Sequence, residues 1–179
     1  MDKLNIFGRE HIGYDLETLS MKPNAAIISI GAVRFTFENG IFDEFLVNVD
    51  PVSCVKLGLH IDKSTVEWWK EQPKEVSDLW KVAPNSLDVA LKKFAAFVGE
   101  DKNQLIWCQG GSFDHPIITS AFRECDIGLP WKYYQEMDSR SIFTLLGVRN
   151  DLIRKGSKDH HSALGDANSQ ASTLIGLFS

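Results

Sequence analysis

Asp15 and Glu17 stand two residues apart in the segment HIGYDLETL, residues 11–19, whose composition and alternation predict a β-strand. Side chains on a strand alternate between faces, so these two acids share one face while Tyr14 and Leu16 take the other. Adjacent carboxylates oppose each other's ionisation unless a positive charge lies between them. A divalent cation relieves that repulsion, and among such ions Mg²⁺ or Mn²⁺ suits hard carboxylate oxygens best. The plain alternative is a surface strand with two solvated acids, and a DxE spacing arises by chance roughly 0.8 times in a chain of this composition. Further ligands must come from elsewhere in the chain.

The segment HSALGD, His161 to Asp166, has the form HxAxxD, which this composition produces by chance in roughly one chain in forty. Ala163 and Gly165 are small enough to let a helix lie close to a sheet, bringing Asp166 toward Asp15 and Glu17. His161 precedes Asp166 by five residues, a spacing that does not share a helix face. It is therefore expected in the loop that enters the helix, its ring free to swing over bound metal. Asp114 offers a fourth acid. Taken alone, it reads as the cap of the helix that Pro116 begins. It also stands at a strand-to-helix junction, where open α/β sheets collect ligands.

Short elements must carry these residues. Residues 11–19, 25–37 and 41–49 read as three strands, the second turn marked by Asn39-Gly40, most simply an antiparallel meander. Residues 50–63 look irregular. Ser64 with Glu67 three positions later predicts a capping box opening a short helix before Pro73. Trp68 and Trp69 lie on that helix about 100° apart, so one is expected in the core and the other partly exposed, where an aromatic face can stack on a base. Leu87, Ala90, Leu91, Phe94 and Val98 have helical period and stop at Gly99. The run LIWC, residues 105–108, predicts a buried strand, followed by a helix through HPIITSAFREC. Residues 131–138 suggest another strand and SRSIFTLLG a helix ending at Gly147, with Asp138 read as its cap. Arg149, Arg154, Lys155 and Lys158 lie in a basic loop, and residues 161–178 form a last helix with a small-residue face. Strands first, then helices alternating with strands, make an α/β fold: a mixed β-sheet, antiparallel meander then parallel strands, flanked by helices.

The chain has 179 residues, 44% hydrophobic and 11% aromatic, enough for one well-cored domain and short for two. One domain over 1–179 is expected. Cys54, Cys108 and Cys125 show no CxxC spacing and an odd count, against a disulfide framework or zinc knuckle and for a reducing, cytoplasmic setting. No apolar run approaches membrane-spanning length. A net charge of -5 speaks against a broad platform for duplex nucleic acid but is compatible with an enzyme that takes one strand end.

The order of DxE at Asp15-Leu16-Glu17, FD at Phe113-Asp114 and HxAxxD at His161–Asp166 resembles the DEDD exonuclease superfamily in its histidine subgroup, DEDDh, over about residues 11–175. Proofreading exonucleases, ribonuclease T and oligoribonuclease belong to it. The compact layout with Trp68-Trp69 between the first two motifs is similar to the small phage exonuclease A-type group. The resemblance implies a ribonuclease H-like fold and stepwise hydrolysis from the 3′ end of single-stranded DNA or RNA, assisted by two Mg²⁺ or Mn²⁺ ions. It further implies that Asp15, Glu17 and Asp166 bind one ion, that Asp15 and Asp114 share the second, and that His161 is the general base. Thr18 and Leu19 become candidate substrate contacts, and a homodimer is compatible with the group. A ribonuclease H-like module that grips strand ends or a polymerase without cutting is the competing class. A hydrolase of small phosphate esters is a third, disfavoured because the chain has no glycine-rich phosphate loop.

Overall fold

The computed structural model describes residues 6–78, 81–148 and 162–178. His161 and the basic residues Arg149, Arg154, Lys155 and Lys158 lie outside them. Three strands, β1 (His11–Thr18), β2 (Ile27–Thr36) and β3 (Gly40–Asn48), form the expected antiparallel meander. Gly40 takes φ +78°, the left-handed conformation that the turn after Asn39 requires. Two short parallel strands, β4 (Leu105–Cys108) and β5 (Glu136–Asp138), extend the sheet on the other side of β1, giving the order β3-β2-β1-β4-β5.

Strand alternation sorts the core into two layers. Ile12, Tyr14, Leu16, Ile28, Ile30, Ile106 and Cys108 face one side. There they pack with the apolar stripes of α4 (Leu87–Val98) and α5 (Asp114–Glu124). Val33, Phe35, Leu105 and Trp107 face the other, under Ala167, Ala171 and Leu174 of the long helix α7 (Ala163–Phe178) and Phe143 of α6 (Ser139–Leu145). The small-residue face expected of the last helix is thus the face that meets the sheet.

Three local expectations change. The stretch after β3 contains a helix, α1 (Pro51–Lys56), capped by Asp50, whose carboxylate accepts from the Val52 N–H. The helix α2 (Lys63–Glu71) begins two residues earlier than the Ser64 box implies, because Asp62 accepts from both the backbone and the hydroxyl of Ser64. Glu67 instead pairs with Lys70. Of the strand expected over residues 131–138 only Glu136–Asp138 pairs, preceded by a 3₁₀ turn at Tyr133–Gln135. A four-residue helix, α3 (Lys74–Ser77), follows Pro73. Asp138 caps α6 as expected, accepting from the Arg140 N–H. No helix among the described residues is long and apolar enough to cross a membrane.

Candidate active site

Asp15 and Glu17 emerge on the α7 face of β1, near its carboxyl end, opposite Gly31 and Ser29 of β2. Gly31 decides how close the helix comes. A Cβ placed there would fall 2.1 Å from the Leu164 nitrogen and 2.2 Å from the Ala163 carbonyl carbon. Only glycine admits that backbone-to-backbone contact, and it sets the first turn of α7 directly beside the acids of β1. Ala163 is buried at this seam, as its small size suggested. Ser162 accepts from the Asp166 N–H at 2.8 Å, fixing the turn that carries the third acid.

Carboxylate oxygens of Asp15, Glu17 and Asp166 accordingly lie within 4.8 Å of one another, a grouping that can hold a metal ion. Asp114, the first residue of α5, approaches from the end of β4. It is buried and accepts from its own N–H and from the N–H of Leu16. That second bond ties it to the strand between Asp15 and Glu17. The role of helix cap does not fall to it, since the residue at that position is Phe113.

Burial and neighbouring carboxylates raise the pKa of Asp15, Glu17 and Asp114. Burial, then the charges of Asp114, Glu17 and Asp166, hold Asp15 well above the usual carboxylate range. Glu17 is pushed up to about 8 by burial and then by Asp166 and Asp114. Burial raises Asp114 to about 7, offset in part by the nearby Arg140 guanidinium and by its two N–H donors. Such a site is short of positive charge, and an all-oxygen donor set of this kind fits a hard divalent cation.

Supporting residues surround it. Gln170, one turn beyond Asp166 on α7, donates to Asp15 Oδ1 at 2.9 Å and fixes the orientation of that carboxylate. Sequence reasoning did not single out Gln170; its i, i+4 spacing from Asp166 is the signal that could have found it. Tyr14 Oη lies 2.7 Å from His115 Nδ1, and His115 Nε2 faces the Met137 carbonyl, so this histidine is engaged in the core behind β1. His11 is likewise buried, against Trp107 and the Ile6 carbonyl. Arg140 reaches back over Gly110 to donate to the Gln109 carbonyl.

Beside Glu17 opens a cavity of about 380 Å³, lined among others by Leu16, Thr18, Met21, Trp68 and Phe113. The two tryptophans divide as expected. Trp69 is buried with its Nε1–H donated to the Thr18 carbonyl, and Trp68 is 40% exposed at the cavity wall. Thr18 lines the cavity, its hydroxyl donating to the Ser20 carbonyl. Leu19 turns its side chain into the core instead.

The fold matches that of E. coli exonuclease I in complex with a dT13 oligonucleotide, with TM-score 0.71 over 94% of this chain and 40% of that one, at 12% identity. The zinc-bound form of the E. coli exonuclease I complex with single-stranded DNA gives 0.68 over 93% and 39%, again at 12% identity. This likeness shows a ribonuclease H-like fold, a mixed sheet with paired acids on its central strand and further acids brought by two helices. The model of the 3′-5′ exoribonuclease Rv2179c-like domain matches residues 10–176, and the chain belongs to that family. An exodeoxyribonuclease of Enterobacteria phage T4 is 29% identical over 126 residues, 62% of this chain and 54% of that protein. The chain thus spans about half the length of that phage relative.

Proposed function

We propose that this chain is a divalent-metal-dependent exonuclease that removes nucleotides one at a time from the 3′ end of single-stranded nucleic acid. The observation that carries this reading is the convergence of Asp15, Glu17 and Asp166 within 4.8 Å, with Asp114 beside them. Asp15, Glu17 and Asp166 would hold one ion and Asp15 with Asp114 the second, Mg²⁺ or Mn²⁺ in each case. Two such ions would activate a water and stabilise the leaving oxygen of an in-line displacement at phosphorus.

The protein's own groups do the rest. Gln170 keeps the Asp15 carboxylate turned toward the ligand set. His161, five residues before Asp166 in the sequence, takes the proton of the attacking water, a task suited to an imidazole. The cavity beside Glu17 takes the terminal nucleotide, with its base against the exposed Trp68 and Thr18 in the wall. Leu19 supports that wall from behind. Direction is supported by the family description, and a single-stranded substrate by the oligonucleotide complexes of exonuclease I.

The test is a digestion of matched single-stranded DNA and RNA carrying a 5′ label, in Mg²⁺ and in EDTA. The expected result is a ladder shortening from the 3′ end with release of 5′-mononucleotides, stopped by EDTA. Full-length strands of both kinds in Mg²⁺, or immediate release of the 5′ label, would overturn it. The DNA and RNA arms also decide between the ribonuclease of the family description and the deoxyribonuclease activity in the phage relative's name.

A further inference from the structure

A second cavity, of about 760 Å³, lies along α5 and has no part in the site described above. Asn24, Gly111, Thr119, Arg123, Tyr133 and Glu136 are among the residues that line it. Neighbouring residues of two segments line the two cavities. The turn after β1 presents Met21 to the cavity beside Glu17 and Asn24 to this one. The start of α5 does the same with Phe113 on one side and Gly111 and Pro116 on the other. Asp114 lies between Phe113 and Pro116 in sequence. We propose that this second cavity is the subsite for the nucleotides immediately 5′ of the bond to be cut, so that a single strand runs from it past Asp114 into the cavity beside Glu17. The proposal rests on the exonuclease reading above.

Its chemistry suits a nucleic-acid strand. Arg123 brings a guanidinium whose side chain is 71% exposed, its Nη2 3.3 Å from Ser120 Oγ and its Nε and Nη2 donating to the Glu124 carboxylate at 3.3 and 3.2 Å, a surface pair that a strand phosphate can displace. Asn24 and Thr119 add neutral polar groups suited to phosphate and sugar oxygens. Tyr133 is 84% exposed and Tyr134 61%, their rings 5.4 Å apart at 79°. The adjacent pair makes a small exposed aromatic patch. The turn that displays them is firmly built. Buried Gln135 donates to the Gln104 carbonyl at 2.9 Å and accepts from the Lys132 N–H. A rigid platform offering an aromatic face beside a guanidinium is the arrangement on which successive bases stack without sequence preference. The Glu136 carboxylate in the wall is already engaged by the Trp131 Nε1–H at 3.0 Å. The cavity is also within the range, about 300–1,000 Å³, of sites that enclose ligands of this size.

The consequence is a preference for length: a strand of several nucleotides fills both cavities, whereas a dinucleotide ends before the second is occupied. The test compares the parent with Arg123→Ala, Tyr133→Ala and the double variant, each checked for unchanged circular dichroism. Affinities for a fluorescein-labelled eight-nucleotide strand and for the corresponding dinucleotide are measured by anisotropy in an Asp15→Asn background. The ratio of kcat/KM for the same two substrates is then measured with Asp15 intact. The expected result is a parent preference for the longer strand that falls about tenfold in the double variant, the loss of one stacked base. A parent with no length preference, or a preference unchanged in the double variant, would overturn the subsite. Absence of cleavage with the binding preference present and lost in the variant would instead sink the exonuclease reading while the subsite stands.

Discussion

Glu17 at about 8, Asp114 at about 7 and a strongly raised Asp15 describe acids that folding has placed against their own electrostatic preference. An acid whose pKa rises on folding binds more protons folded than unfolded between its two values, so stability falls as pH climbs through that window. The Tm of the protein in EDTA should therefore decrease between about pH 5 and about pH 9. Added Mn²⁺ should restore it, by more at the alkaline end, and scanning fluorimetry across a pH series reads both effects. A Tm in EDTA that stays flat or rises over that range would count against the clustering of charge. By the same logic Asp15→Asn should abolish strand cleavage yet raise the EDTA Tm at pH 8, because it removes one of the opposed carboxyls. Gln170→Leu tests the support of the Asp15 carboxylate. Loss of such an orienting contact should weaken Mn²⁺ binding about 10–100-fold, measured by calorimetry, with the fold retained.

Gly31 and α7 set the geometry at the level of elements. With backbone atoms of residues 163 and 164 only 2.1–2.2 Å from the Cβ that alanine would add, Gly31→Ala must push the helix off β2. Overpacking of this kind costs typically about 1–3 kcal/mol, and it also displaces Asp166 from Asp15 and Glu17. Thermal denaturation should show the lost stability, and cleavage should fall in parallel. Gly176 on the same helix has open space around it. Gly176→Ala should be neutral or stabilising by up to about 1 kcal/mol from helix propensity. If both glycine variants behave alike, the close seam is not what places Asp166.

At the scale of the molecule, the legible parts of the sequence were those with a period or a spacing. The alternation around Asp15 and Glu17, the stripe from Leu87 to Val98 and the small face of Ala163, Ala167 and Ala171 each report their own partner surface. HxAxxD with DxE and Asp114 named the acids before the sheet order was known. Less visible were features set by contacts distant in sequence. Gly31 looks like any glycine in an apolar strand until α7 lies on it. Gln170 becomes informative only once Asp166 is known to face Asp15. The Asp62 cap displaced the Ser64 box because Asp62 Oδ1 accepts from both Ser64 donors, a competition between neighbouring caps that a motif does not rank. The short β5 carries no hydrophobic run, since its three residues are all half-buried at the sheet edge. The acids gathered around Asp15 form a grouping that could hold a metal ion. The most direct test is anomalous diffraction from crystals grown with Mn²⁺ and a nonhydrolysable 3′-terminal dinucleotide. The account predicts two peaks roughly 3.5–4 Å apart, one among Asp15, Glu17 and Asp166 and one between Asp15 and Asp114. A bound 3′ end with no Mn²⁺ at these carboxylates would contradict it.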